Sequence, residues 1–202
     1  MSSDFPPEGV NKGRRNFLLA STTAVGAAGV AVAAVPFIES WTPSAKARAV
    51  GAPVQVSVAD LKPGGIKKVQ WRGQTIGILR RTPEEVTDLS EVVPKLNDPD
   101  SQDSIQPEYA QNDYRSIRDE YLVVNMHCTH LGCVPSVNNK DNPPPGAEGW
   151  VGGFYCPCHK SKFDFAGRVY KGVPAPTNLT VPPYSFVDDE TLVIGVDSGS
   201  VA

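Results

Sequence analysis

Clustered positive charge is missing from this chain. Lys and Arg number 19 against 22 Asp and Glu, the formal net charge is -3, and the basic residues are dispersed. There is therefore no electrostatic footprint for nucleic acid, and that class of partner is excluded. Length is limited too: 202 residues suffice for one domain with a sizeable core plus an extension, not for two full domains. No internal repeat is present. Only one apolar run is long enough to cross a bilayer as a helix. Cysteine and histidine are scarce, four and three in all, yet they are not scattered. All four cysteines and two of the three histidines fall in two short boxes, Cys128-Thr129-His130-Leu131-Gly132-Cys133 and Cys156-Pro157-Cys158-His159. That is the distribution of a metal centre rather than of core thiols.

Proline (19) and glycine (18) are plentiful, so the soluble part should be rich in turns. Aromatic and β-branched runs between those turns predict an all-β domain. The N-terminus differs in composition. Phe17 to Ile38 is 22 residues without a charge, roughly 33 Å as a helix against a hydrocarbon core of roughly 30 Å. It follows Gly13-Arg14-Arg15-Asn16-Phe17-Leu18-Leu19, the pattern of a twin-arginine export signal. Lys12, Arg14 and Arg15 would stay cytoplasmic. Ala45-Lys46-Ala47 could serve as the processing site of a cleaved peptide. An uncleaved anchor fits better, because the run exceeds the usual signal-peptide core and Phe37, Ile38 and Trp41 make an interfacial edge. The expected division is a cytoplasmic tail at 1–13, signal and single transmembrane helix at 14–41, a flexible hinge at 42–53 and a head at 54–202. Within the hinge, Ala, Lys and Arg would also permit a marginal helix.

In the head, Val54, Val56 and Val58 alternate with polar residues, and Ile66–Trp71 turns at Arg72-Gly73-Gln74 into Thr75–Leu79, which predicts a strand and a hairpin. Thr82-Pro83-Glu84-Glu85 starts a short helix reaching about Ser90. The polar stretch from Asn97 to Arg118 reads as a surface insertion. Tyr121–Met126 and Val151–Tyr155 are strands that lead into the two boxes, so both boxes occupy loops aimed by rigid elements. Leu179–Val181, Tyr184–Val187 and Thr191–Val196 complete the strands, with a turn at Asp188-Asp189-Glu190.

Pairs of Cys and His often hold structural zinc, and a zinc-binding module is one reading of the boxes. The ligand-like pairs here are Cys-x-His and Cys-x-x-His, with one further cysteine in each box. In an exported domain two left-over cysteines should pair; such a tie between the loops is worth roughly 3.5 kcal/mol on a chain-entropy estimate.

The boxes resemble those of the Rieske iron-sulfur family, Cys-Thr-His-Leu-Gly-Cys and Cys-Pro-Cys-His-Gly-Ser. The resemblance implies a Rieske-type antiparallel β-sandwich head with an inserted cluster-binding subdomain at about 122–178. It implies a 2Fe-2S cluster with one iron on Cys128 and Cys156, the other on His130 and His159, and a disulfide between Cys133 and Cys158. His127 falls outside the pattern. Ser161 stands where the family hydroxyl donates to a cluster sulfide, Phe163 stands where many high-potential members carry a tyrosine, and Lys160 replaces the usual glycine. If that glycine has a positive φ, lysine is strained there by roughly 1–2 kcal/mol.

The anchor, the hinge and the proline loop Gly172-Val173-Pro174-Ala175-Pro176 look like those of the Rieske subunit of cytochrome bc complexes. The Trp41–Ala47 segment and Ala166-Gly167-Arg168-Val169-Tyr170 are similar to proteobacterial forms. The resemblance thereby implies a quinol-cytochrome c reductase subunit, single-pass in the inner membrane with its head on the periplasmic side. Its implied partners are ubiquinol, membrane lipid, a cytochrome b subunit and a c-type cytochrome subunit in a dimeric complex. His159 would hydrogen-bond the quinol hydroxyl. The small subunit of a periplasmic molybdenum oxidase such as arsenite oxidase shares the export signal and is the nearest other reading. A soluble Rieske ferredoxin lacks both the anchor and the disulfide pair.

Overall fold

The computed structural model describes residues 9, 11–45, 47, 51–145, 147 and 150–197. Most of the expected tail, Lys46 of the Ala-Lys-Ala motif, hinge residues 48–50 and the last five residues lie outside the described residues. The chain forms two units that divide within the expected hinge, between Arg48 and Ala49.

The first unit is the helix α1, Lys12–Glu39. Asn11 caps it by accepting from the Arg14 amide at 3.1 Å, an N-cap that satisfies an otherwise orphaned donor. The helix has 28 residues, contains Pro36 and buries none of its side chains. An apolar helix with no covered face is unstable in water and suited to a bilayer. Beyond it, Ala45, Ala47 and Gly51 have helical backbone, the less expected of the two hinge conformations.

The second unit is antiparallel throughout its described sheets. Sheet one orders β1 (Val54–Ser57), β9 (Thr191–Ile194) and β8 (Tyr184–Phe186), and sheet two orders β2 (Ile66–Trp71), β3 (Gln74–Arg80) and β4 (Tyr121–Asn125). The β2–β3 turn is Arg72-Gly73 alone, with φ of 50° and 73°. Two successive positive φ values match the twist of a two-residue hairpin. Thr82 caps α2 (Pro83–Asp88) in a reciprocal capping box with Glu85, which accounts for the helix start read from sequence. Val56, Leu192, Ile194 and Tyr184 of sheet one share a core with Ile76, Ile78, Leu122 and Val124 of sheet two. β4 is buried at every residue, hence its unbroken apolar run.

Between β4 and β8 the chain inserts a third sheet, β5 (Ser136–Asn139), β6 (Gly152–Tyr155) and β7 (Lys162–Phe163), in that spatial order. Phe154 and Phe163 carry its inner face into the same core. At Gly153, with φ of 135°, an added Cβ would lie 2.1 Å from the Phe163 carbonyl oxygen. Only glycine lets β6 and β7 approach this closely.

Two expectations are corrected. Leu179–Val181 forms no strand; single bonds hold it instead, with Asn125 N donating to Thr180 O at 2.8 Å and Val181 N to Ile105 O at 3.0 Å. Asn97–Arg118 is a surface insertion only in part: half of its residues are exposed, but others anchor it inside. Ala110 is buried in the apolar core, and Asp98, Ser101, Arg115 and Ser116 are buried because their polarity is consumed internally. Asp98 accepts from the Gln102 and Asp103 amides and the Ser104 hydroxyl at 2.8, 3.2 and 2.6 Å. The Arg115 guanidinium donates to Ala166 O, Gly167 O and Gln106 Oε1.

Candidate metal centre

Register in the third sheet brings the two boxes together. Ser136, three residues past Cys133, pairs with Tyr155, and Tyr155 also pairs with Lys162. The exit of the first box and the entry and exit of the second therefore lie at one end of β5-β6-β7.

Each box closes on itself in the same way. In the first, Gly132 N donates to Cys128 O and Cys128 N to Cys133 O, both at 2.8 Å. In the second, Lys160 N donates to Cys156 O at 2.9 Å and Cys156 N to Ser161 O at 2.8 Å. Positions 128, 132 and 133 thus correspond to 156, 160 and 161. The shared loop geometry escaped sequence reading because the histidines sit at different offsets. The fifth position of each loop needs a positive φ, met by Gly132 at 80° and by Lys160 at 63°. The strain expected at Lys160 is therefore present. Lys160→Gly should stabilise the head by roughly 1 kcal/mol after the greater unfolded-state freedom of glycine is set against the relieved strain. A rise in the thermal midpoint of the head checks this; an unchanged or lower midpoint would contradict it.

The predicted site residues converge. Cys128 and Cys156 are both free and buried. Burial pushes the Cys128 thiol above its ordinary pKa, the adjacent Cys156 thiol adds to this, and the His130 amide and Ser161 hydroxyl oppose it. The His130 amide, the Cys156 thiol and the Ser161 hydroxyl thus all lie beside the Cys128 thiol. The rings of His130 and His159 stand edge to face, with centroids 4.8 Å apart; His130 is half-buried and His159 exposed. Cys133 and Cys158 form the disulfide, with Cα atoms 6.7 Å apart. His127 is half-buried, its amide donating to Asn125 Oδ1. The three sulfurs of Cys133, Cys156 and Cys158 are also close enough to suggest a metal site. Two of them are spent in the disulfide, so that trio is not the ligand set. What remains is two thiols and two imidazoles, a donor set that fits a 2Fe-2S centre whose second iron takes histidine.

The proline loop is fixed from both boxes. Thr129 Oγ1 donates to Thr177 O at 2.7 Å, and Ala175 N donates to Ser161 Oγ at 3.1 Å. Sequence reading missed Thr129 as a tie, since a threonine in a box carries no signal of what its hydroxyl meets. Phe163 is fully buried and pairs with Phe154.

Behind the second box lies a layer of buried charge. Arg81 donates to Phe165 O, Tyr114 O, Tyr121 O and Ser116 Oγ, Arg115 to Ala166 O and Gly167 O, and Arg168 to Leu89 O and to Asp164. Burial pulls both Arg81 and Arg115 down to about 10, with Asp164 the leading opposing charge, so both remain cations at neutral pH. A cavity of about 460 Å³ beside Leu89 and Arg168 includes no box residue. At the boxes themselves Leu131, Gly132, Pro157, Cys158, His159 and Lys160 are exposed.

Residues 6–44 match the family described as "Ubiquitinol-cytochrome C reductase Fe-S subunit TAT signal", and residues 52–184 match the Rieske 2Fe-2S domain. The chain is 49% identical over 193 residues to the ubiquinol-cytochrome c reductase iron-sulfur subunit of Allochromatium vinosum, covering 96% of this chain and 93% of that one. It is 45% identical to the subunit of the same name from Blastochloris viridis, covering 90% and 92%. The corresponding figures for that of Rhodospirillum rubrum are 42%, 93% and 94%. A chain of the solved "Hyperthermophilic respiratory Complex III" is 22% identical over 88% of this chain and 98% of that one, with a TM-score of 0.45, a likeness too loose to bear on function.

Proposed function

Because this chain belongs to the Rieske 2Fe-2S domain family, we propose that it is the iron-sulfur subunit of a ubiquinol-cytochrome c reductase, held in the membrane by α1. Cys128 and Cys156 would hold one iron, and His130 and His159 the other. When bound, the cluster supplies one-electron acceptance at roughly -150 to +300 mV, because two neutral imidazoles replace two thiolates and lift the potential from near -400 mV.

The observation that carries this reading is the asymmetry of the site: two buried thiols, and two imidazoles in edge-to-face contact with His159 exposed. The buried thiols keep water from the sulfur side. His159 presents its outer ring nitrogen where a quinol hydroxyl can meet it, hold a hydrogen bond there and pass its proton to the imidazole. Ser161 supports the sulfur side while its oxygen accepts from the proline loop. In this division, 1–13 is the cytoplasmic tail, 14–41 the export signal and anchor, 42–53 the hinge and 54–202 the periplasmic head. A cytochrome b subunit and a c-type cytochrome subunit are its partners.

Purification from the native membrane in mild detergent tests the proposal. Co-purifying b- and c-type haems are expected, with a reduced 2Fe-2S signal by electron paramagnetic resonance. A molybdenum subunit in their place would overturn it, and bound zinc with no signal would overturn the cluster. A further prediction concerns Phe163, where no ring hydroxyl is available to donate to a cysteine sulfur. Donors to sulfur favour the reduced, more negative centre. Phe163→Tyr should therefore raise the midpoint in a redox titration, and a fall or no change would refute this.

A further inference from the structure

Cys156 has a second reaction open to it. Its sulfur and those of Cys133 and Cys158 all lie within 4.8 Å of one another. Cys133 and Cys158 are disulfide-bonded, and Cys156 is a free thiol. A nucleophilic sulfur held against a disulfide is what thiol-disulfide exchange requires. We propose that Cys156, once released from iron, is the nucleophile of an internal exchange that replaces the Cys133–Cys158 bridge with Cys133–Cys156. This rests on the reading of Cys156 as a ligand.

The step is balanced within the chain. The Cys156 thiolate attacks the Cys133 sulfur, the 133–156 bond forms as the 133–158 bond breaks, and the electron pair leaves on the Cys158 sulfur. That sulfur takes up the proton Cys156 has given up. One disulfide and one thiol stand on each side, so neither oxidant nor reductant is needed. Attack falls on Cys133 for two reasons. Only Pro157 separates Cys156 from Cys158, and a bridge between those two would close a small ring across a fixed φ. Cys158 is exposed, so its thiolate leaves into water.

The exchange couples the cluster to the clamp. Iron on Cys156 occupies the attacking sulfur and protects the disulfide. Loss of iron frees that sulfur, and the new bridge then consumes a ligand, so the site cannot be refilled until the bridge is reduced.

The full-length chain in detergent, stripped of its cluster anaerobically with a chelator in mild acid, tests this. After return to neutral pH, samples are quenched in acid at intervals, alkylated and mapped by mass spectrometry. Alkylation is expected to move from Cys156 to Cys158 as a Cys133–Cys156 peptide appears. Reconstitution with iron and sulfide should fall in parallel and return after dithiothreitol. Two cluster-free variants separate the nucleophile from general loosening: Cys128→Ser retains Cys156 and should exchange, whereas Cys156→Ser should keep Cys133–Cys158. A sole Cys133–Cys158 bridge in both the stripped chain and Cys128→Ser would overturn the proposal, as would bridges to Cys128 in equal yield. If Cys156→Ser still gave the cluster signal as purified, the ligand reading itself would fail, whatever the bridge map.

Discussion

Replacing Asp164 by asparagine should destabilise the head by about 3–5 kcal/mol, the usual cost of breaking a buried ion pair from one side. Asp164 is fully buried. One carboxylate oxygen accepts from the Ala166 and Arg168 amides at 2.9 and 2.8 Å, and the other accepts from Arg168 Nε at 2.8 Å. Asparagine can keep the two amide bonds, but its NH₂ then meets the Nε–H donor of Arg168. The charge matters as much as the bond. Arg81, Arg115 and Arg168 are buried, and Asp164 is the leading opposing charge for the first two. Without it, three guanidinium cations are left with Asp98 as the remaining buried carboxylate among the described residues. Segment 164–168 joins the second box to the proline loop, so the loss should also loosen cluster retention. Chemical denaturation of the head with matched cluster content measures the effect. A change under about 1 kcal/mol would show that the pair is screened after all.

Sequence made the two boxes legible because metal ligation restricts residue type so severely. Cys128, His130, Cys156 and His159 stood out by chemistry, and the helix start at Thr82 stood out by its capping pattern. Strands such as Tyr121–Asn125 were visible because burial on both faces leaves an unbroken apolar run. The buried layer was not visible. Asp98, Arg115 and Ser116 read as surface, since nothing in their order reveals that carbonyls at 166 and 167 or the Arg81 guanidinium wait inside. β5 and β7 were missed for another reason. Ser136–Asn139 is largely polar and Lys162–Phe163 is only two residues long, so each depends on β6 for its pairing rather than on its own propensity. The matching loop geometry at Gly132 and Lys160 was hidden because the histidines sit at different offsets in the two boxes and one of the two positions does not carry glycine.

Serine at Cys128 or Cys156 is expected to abolish the cluster, whereas serine at both Cys133 and Cys158 should weaken the head without removing a ligand. The two pairs of cysteine look alike in sequence, but the structure gives them opposite environments: Cys128 and Cys156 are free and buried, while Cys133 and Cys158 are bonded to each other across 25 residues. Losing that bond removes roughly 3.5 kcal/mol of chain-entropy stabilisation, enough to lower the thermal midpoint markedly in a small domain. Iron content and the reduced resonance signal separate the cases. The ligand variants should show neither, and the double clamp variant should show both at reduced yield. A full signal in Cys156→Ser, or none at all in the clamp variant under mild conditions, would reverse the assignment. The clamp variant also bears on the exchange at Cys156. It offers that thiol no disulfide to attack, so after the cluster is stripped it should accept iron and sulfide again without prior reduction, despite its lower stability. Stability and refilling would then move in opposite directions, which a simple loss of structure cannot produce.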